Sequence, residues 1–299
     1  MYKQIAANVR YTWGLVLVFL IFIIGLGFIF TKAYNNPSFL IIAVIVSLAQ
    51  TLVSYYYSDS ITLAMSGARL TNRQENLQLV RIVENLSITS GLPMPKVYVI
   101  NDGQPNAFAT GRDPKHASIA VTTGLLEKLD KTELEGVISH EMSHVKNYDI
   151  RLMTIVVVLV GAVALASDWF LRLGFWSSRD RDNNGNQITF IIGIVLAIIA
   201  PISAMLVQLA ISRKREYLAD ASGALLTRYP EGLASALEKI SADGTQTRLQ
   251  NRAMAHLFIA SPFREDSAMK AKSNGTAMSI FSTHPPIADR VKKLREMTV

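Results

Sequence analysis

Four apolar segments constrain the fold of this chain, because each is uncharged over a length comparable to the thickness of a lipid bilayer. Trp13–Thr31 and Phe39–Tyr57 each have 19 residues and no charge, close to the roughly 20 residues with which a helix spans the hydrocarbon core. Leu152–Ser167 has 16 residues and can extend through Trp169–Leu171, and Ile188–Ser212 is also uncharged. The sequence therefore predicts four transmembrane helices.

The composition also favours a membrane protein. Only 18% of the residues are charged, compared with about 25% in soluble domains. The first apolar segment is longer than the core of a secretory signal and lacks a small-x-small cleavage site after it, so we interpret it as a retained anchor. For the third and fourth segments, a buried helical hairpin in a soluble core is the alternative.

Basic residues beside these segments predict the orientation in the membrane. Lys3 and Arg10 precede the first segment, Lys32 alone occupies the first hairpin loop, and Arg213–Arg215 follow the fourth segment. By the positive-inside rule, both termini and the large middle segment are cytoplasmic. Three residues between the third and fourth segments oppose this orientation: Arg172, Arg179 and Arg181.

The predicted spans divide the chain into four parts. A first membrane hairpin occupies residues 1–57 and a second occupies residues 152–212. The two water-soluble blocks, 58–151 and 213–299, are brought to the same face of the membrane by these hairpins. We expect the blocks to fold together as one catalytic domain.

The first soluble block contains helix and strand patterns. Asn72 is placed to cap a helix that ends at Gly91, with apolar residues at helical spacing between them. Lys96–Ile100 and Ser118–Thr122 are short, rich in β-branched residues and flanked by turn residues, so they predict strands of a small sheet.

The run HEMSH, at His140–His144, places two histidines four residues apart with Glu141 between them. On a helix both imidazoles reach the same cation, while the glutamate lies beside it and can act on water. Thr132 and Glu135 predict a capping box for a helix that begins at Glu133. Because no Gly or Pro follows His144 before the third span, one helix is expected to continue from the motif into the bilayer.

A catalytic zinc usually has three protein ligands and one open position, so one further ligand is needed. The chain has no cysteine, which excludes a thiolate. Glu216 is the strongest candidate, because it begins a helix that leaves the membrane on the side of the two histidines. Asp220 lies one turn further and can accept a hydrogen bond from a ligating imidazole. The alternative for Glu216 is a salt bridge or an interfacial anchor among Arg213–Arg215.

Several motifs together resemble one known family. They are NAFATG at Asn106–Gly111, HEMSH at His140–His144, REYLAD at Arg215–Asp220 and STHPP at Ser282–Pro286. With the two pairs of apolar segments, this pattern resembles the M48 membrane metallopeptidases, and more closely their bacterial HtpX branch. The resemblance covers nearly the whole chain. It implies an α+β fold, mainly α, in which four transmembrane helices carry a zincin-like (gluzincin) catalytic domain with a small β-sheet.

The resemblance also implies a role for each residue of the motifs. One Zn²⁺ per chain would be held by His140, His144 and Glu216, with Glu141 as the general base and Asp220 supporting a ligand. Asp149 resembles an acidic residue that commonly follows the histidine motif, although it could only balance the charge of Arg151. These roles make zinc the expected cofactor.

Four further residues are candidates for substrate contacts, three of them in one segment. Asn106, Ala107 and Phe108 lie beside two predicted strands, where the backbone can add an extended peptide to a sheet edge. Asn106 can also bind a substrate carbonyl, or simply form a turn after Pro105. The fourth candidate, Arg290, lies far along the chain.

His284 precedes two prolines in an extended stretch and can donate a hydrogen bond to the oxyanion of peptide hydrolysis. Arg290 either supports His284 or pairs with Asp289. His116 and His256 are interpreted as histidines without a catalytic role.

These features predict a zinc endopeptidase that cleaves peptide bonds at the cytoplasmic face of a membrane. The resemblance implies a bacterial cell membrane and, as substrates, damaged or misfolded membrane proteins. The expected partners are polypeptide substrates and the lipid bilayer. Nucleic acid is not expected, because the net charge of +7 is not accompanied by a basic patch interleaved with aromatic residues. The alternatives are a prenyl-protein peptidase of the same family and a non-catalytic membrane scaffold stabilised by zinc.

Overall fold

A computed structural model of the protein describes residues 2–162, 212–247, 254–260 and 285–297. The described strands are β1 (Arg69–Leu70), β2 (Lys96–Ile100), β3 (Ala107–Gly111) and β4 (Ala117–Thr122). The described helices are α1 (Tyr2–Tyr34), α2 (Ser38–Ser66), α3 (Leu77–Ser90), α4 (Thr123–Lys128), α5 (Lys131–Lys146), α6 (149–162, to the end of that described stretch), α7 (Arg213–Thr227), α8 (Pro230–Ala242) and α9 (Ile287–Arg295). The protein is therefore mainly helical with one small sheet.

Helices α1 and α2 form an antiparallel pair with the features of membrane spans. Ala6–Lys32 and Ser38–Ser66 are long and apolar enough to cross a bilayer, and most of their apolar windows are not buried by protein. Pro37 begins the second helix and separates it from the first. Two of the four predicted spans are thus present as candidates, whereas nearly all of the fourth predicted span and the end of the third lie outside the described residues.

The sheet is mixed, with the strand order β1-β2-β4-β3. Strands β2 and β4 are parallel, and β3 pairs antiparallel with β4. Both predicted strands are confirmed, since they correspond to β2 and β4. The NAFATG segment, expected beside the sheet, forms β3 itself, which is an edge strand within the described residues.

Two predicted helix starts are wrong: α3 begins later than predicted and has no side-chain cap, whereas α5 begins earlier and is capped by a different residue. Helix α3 begins after Asn76, while the Asn72 side chain accepts hydrogen bonds from the backbone of the two residues before Asn76. Helix α5 begins after Asp130, which forms the capping box with Glu133 through two hydrogen bonds of 3.0 Å. The predicted end of α3 at Gly91 is confirmed, with a left-handed φ of 69°.

The expected continuous helix from the histidine motif into the third span is also wrong. Helix α5 ends at Lys146, and α6 starts at residue 149. Between them Tyr148 has a φ of 60°, a left-handed conformation that is unfavourable for a bulky residue. Its ring contacts the guanidinium of Arg151, at 5.2 Å from the ring centroid. The break turns Asp149 back towards α5.

Helix α6 is covered by protein along its described length. Its apolar side chains Leu152, Ile155, Val156 and Leu159 are buried against Leu15, Val16 and Phe19 of α1. The first half of the third predicted span is therefore part of an interface with the first span.

Helix α5 lies at the centre of the fold, with nearly all its side chains buried. The main core cluster surrounds it and draws apolar residues from both predicted soluble blocks. At the crossing with α8, a Cβ on Gly136 would lie 2.6 Å from the backbone nitrogen of Leu233. Only glycine allows the two helices to approach this closely.

The Gly136→Ala variant is therefore expected to lower stability by about 1–3 kcal/mol, because the added methyl group meets rigid backbone. Thermal unfolding in detergent measures this change. Gly14→Ala is the matched control, since a Cβ there has no neighbour within 4 Å. Equal melting temperatures for the two variants would contradict the close approach.

Candidate metal centre

Three buried side chains converge between α5 and α7. The Nε2 atoms of His140 and His144 are 3.2 Å apart. The carboxylate of Glu216 lies 3.6 Å from Nε2 of His144 and 3.9 Å from Nε2 of His140. The two histidines share a helix face because they are four residues apart, and Glu216 is in the first turn of α7.

A glycine brings the two helices together. A Cβ on Gly223 of α7 would lie 3.0 Å from the backbone nitrogen of His140 and from Oγ of Ser139. This separation is tighter than ordinary side-chain packing, so the absence of a side chain lets α7 lie directly against the histidine motif.

The spacing of the three donors fits one small cation. Tetrahedral zinc with bonds of about 2.0–2.2 Å separates its ligand atoms by about 3.3–3.6 Å. The three donor separations here, from 3.2 to 3.9 Å, bracket this range. Two imidazoles and one carboxylate are also the donor set of many catalytic zinc sites.

Each histidine has a carboxylate next to Nδ1, the ring nitrogen that faces away from the other two donors. Nδ1 of His140 is 2.9 Å from Oδ1 of Asp220, and Nδ1 of His144 is 2.9 Å from Oδ2 of Asp149. When each Nδ1–H donates to its carboxylate, each Nε2 keeps a lone pair. Both lone pairs are directed at the space between the two histidines and Glu216, where a metal ion would bind. This arrangement fixes the tautomer that a metal requires.

Arg290 occupies a place that the sequence analysis did not assign to it. It is fully buried and donates two hydrogen bonds to Asp220, of 2.6 and 2.8 Å, and a third of 3.1 Å to the carbonyl of Ile259. Burial alone would raise the pKa of Asp220, but Arg290 and His140 lower it to about 2. The sequence offers little to predict this pairing: Arg290 follows the STHPP motif by a few residues. Its need for a carboxylate partner becomes evident only from its burial.

Glu141 lies beside the three donors in a different electrostatic environment. Its side chain is buried, and burial together with the nearby Glu216 carboxylate raises its pKa to about 7. The backbone N–H of Ala109 donates a hydrogen bond to it. A carboxyl group with a pKa near neutrality can both accept and return a proton.

The charges around the three donors do not balance when both imidazoles are neutral, as they must be to bind a metal. Burial lowers the pKa of His144, but the hydrogen bond to Asp149 and the Glu216 carboxylate raise it overall, to about 9. With neutral imidazoles and ionised carboxylates, four negative charges face two positive ones, which leaves two negative charges. The carboxylates are those of Glu141, Asp149, Glu216 and Asp220, and the guanidinium groups are those of the buried Arg290 and the partly buried Arg215. A divalent cation would neutralise this excess.

The predicted substrate residues Asn106, Ala107 and Phe108, at and just before the start of β3, contact the segment 254–260. The Asn106 side chain donates a 2.9 Å hydrogen bond to the carbonyl of Ala260, and the Ala107 carbonyl accepts one of 3.0 Å from Ile259. Phe108 is buried against the ring of Phe258, with 5.1 Å between the centroids.

The other histidines that the structure describes take no part in this cluster. His116 pairs with Asp113, and Nε2 of His256 lies 3.2 Å from the carbonyl of Met153. His284, the predicted oxyanion donor, lies outside the described residues.

Known proteins are similar to this chain over nearly its whole length. The model of "Peptidase family M48" matches residues 73–298. A protease HtpX homolog of Tropheryma whipplei (strain Twist) is 48% identical over 297 residues, which cover 99% of this chain and 98% of the relative. A protease HtpX homolog of Thermoanaerobacter pseudethanolicus is 43% identical over 305 residues, with 100% and 98% coverage. A crystal structure of S. mikatae Ste24p matches with a TM-score of 0.49 and 18% identity, over 98% of this chain and 67% of that one.

Proposed function

Because this chain belongs to peptidase family M48 and is a membrane metalloprotease of the HtpX type, we propose that it is a zinc endopeptidase with its active centre at His140, His144 and Glu216. The observation that carries this proposal is the convergence of these three ligand side chains, all within 4.8 Å of one another, beside a buried glutamate. We infer one zinc ion per chain. Zinc, when bound, acts as a Lewis acid that acidifies water and polarises the scissile carbonyl.

In the proposed reaction Glu141 is the general base. It takes a proton from the attacking water, whose oxygen bonds to the carbonyl carbon of the peptide. The C–N bond then breaks, and Glu141 returns the proton to the leaving amine. Asp220 and Asp149 keep the imidazoles in the required tautomer and orientation throughout. Arg290 holds Asp220 in place, so its proposed role is support of a ligand rather than direct contact with substrate.

The substrate is proposed to bind as an extended strand along β3. The Ala109 N–H donates a hydrogen bond to Glu141, so a peptide bound beside Ala109 would place its scissile carbonyl next to the water that Glu141 deprotonates. Asn106, Ala107 and Phe108 are proposed to keep this strand in position through their contacts with segment 254–260. His284 is proposed as the oxyanion donor. It precedes α9 by three residues, and Arg290 of α9 donates a hydrogen bond to Asp220 behind the proposed ligand His140, so this part of the chain is close to the metal centre.

The natural substrates are proposed to be damaged or misfolded membrane proteins, cleaved at the cytoplasmic surface of a bacterial cell membrane. Two observations support a location at the surface: α1 packs along α6, and α6 begins at residue 149, next to the three ligands. We retain four spans with cytoplasmic termini as the proposed topology. A prenyl-protein peptidase remains a functional alternative, distinguished by the substrate that is cleaved.

Cleavage of unfolded casein and of a membrane-protein substrate by the detergent-purified protein tests this function. Cleavage is expected to stop on addition of a chelator and to return with Zn²⁺, since the ligand geometry suits that ion. Buffer-matched protein without chelator is the control. A protein that holds one zinc ion but cleaves neither substrate would instead be the zinc-stabilised scaffold.

A further inference from the structure

Asp149 is bonded to the first membrane helix as well as to His144. Its Oδ2 faces Nδ1 of His144, whereas its Oδ1 accepts a 2.5 Å hydrogen bond from Nδ2 of Asn8 in α1. The same Asn8 nitrogen donates a 3.0 Å hydrogen bond to the carbonyl of Asn147. An amide NH₂ has two hydrogens, and here both are used at the break between α5 and α6.

Asn8 is held there by helix packing. It is buried and begins a stripe on α1 that continues through Thr12, Leu15, Val16 and Phe19, residues that share one helix face by their spacing. The apolar part of this stripe packs on α6. The interface between the two helices therefore ends in a polar contact at the metal centre.

The contact restrains a carboxylate whose orientation matters. A histidine ligand keeps its ring orientation only while its outer hydrogen-bond partner is fixed. Arg215 lies 3.8 Å from the same Oδ1 of Asp149, beyond hydrogen-bond distance, so Asn8 is the closer of these two partners. Without Asn8 the buried carboxylate would lose a hydrogen bond and could turn about its Cβ–Cγ bond.

We propose that Asn8 is a positioning residue of the metal centre, which acts through Asp149 on His144, so that the first membrane helix contributes directly to metal retention. This inference rests on the proposed function, in which His144 is a metal ligand. It assigns α1 a role in the chemistry of the protein besides that of an anchor.

Zinc release from the full-length, zinc-loaded protein in detergent tests the proposal. The Asn8→Ala variant is expected to transfer zinc to an excess of chromogenic chelator about tenfold faster than the parent, the lower end of the effect of losing an outer hydrogen-bond partner. Leu15→Ala is the matched control, because it weakens the same interface without touching Asp149. Its release rate is expected to stay close to that of the parent, even if its melting temperature falls.

A double-mutant cycle separates positioning from general loosening. In an Asp149→Ala background, Asn8→Ala is expected to cause no further acceleration of zinc release. Asn8→Leu, which keeps a similar shape but has no donor, should behave like Asn8→Ala in the parent background. Equal rates for Asn8→Ala and Leu15→Ala, or an unchanged effect of Asn8→Ala without Asp149, would overturn the inference. A parent that binds no zinc would refute the proposed function instead.

Discussion

Replacing Glu141 by glutamine is expected to reduce peptide hydrolysis by about 10²–10⁴-fold while the zinc content remains that of the parent. Glutamine keeps the shape of the side chain but cannot accept the proton of the attacking water. The three proposed ligands are untouched, so metal binding has no reason to weaken. Casein cleavage and elemental analysis of the same preparation measure both quantities.

Glu135→Gln is the matched control for this variant. Glu135 is on the same helix, but it is partly exposed and pairs with Lys131 at the surface, at 3.7 Å. Its replacement should leave both cleavage and zinc content unchanged. Full activity in Glu141→Gln would remove the general base from the proposed mechanism.

Replacing Glu216 by glutamine is expected to weaken zinc binding itself, by about 100-fold, the upper end of the effect of losing an outer partner of a ligand, and activity should fall in parallel. A neutral amide oxygen takes the place of a charged ligand, and the excess negative charge around the cation is halved. Competition with a chelator of known affinity measures the loss. Glu296→Gln, at an exposed position just after α9, provides a control for the change of charge.

The two glutamate variants together distinguish a ligand from a base. If Glu216→Gln retained zinc as tightly as the parent, the third ligand would have to be another residue, with Asp220 and His284 as the first candidates. If Glu141→Gln lost as much zinc as Glu216→Gln, Glu141 would be a ligand or a structural residue.

Features that depend on local sequence were predictable. The spacing of His140 and His144 places both side chains on one helix face, and Gly91 ends α3 in a left-handed conformation that glycine adopts at little cost. Strands β2 and β4 followed from short β-branched runs. These patterns act within one helix turn or one strand, so no tertiary information was needed.

Features that depend on tertiary contacts were not predictable. The helix break at Tyr148 contains no Gly or Pro from which it could be predicted. It is accompanied by the contact of the Tyr148 ring with Arg151 and by the hydrogen bond from Asn8 to the Asn147 carbonyl. The Arg290–Asp220 pair joins residues 70 positions apart. The start of α5 was misjudged for a different reason: Asp130 and Thr132 are both good caps, and the sequence alone could not decide between them.

The order in which the proposed ligands occur along the chain has a consequence for biosynthesis. His140 and His144 are translated before the second apolar pair, Glu216 after it, and Arg290, which holds Asp220, later still. A ribosome-bound chain that has emerged only as far as α6 therefore has two imidazoles but no carboxylate ligand from α7. If Glu216 is the third ligand, as proposed, the active centre cannot be complete until α7 has been synthesised, and Asp220 is not held by Arg290 until α9 follows.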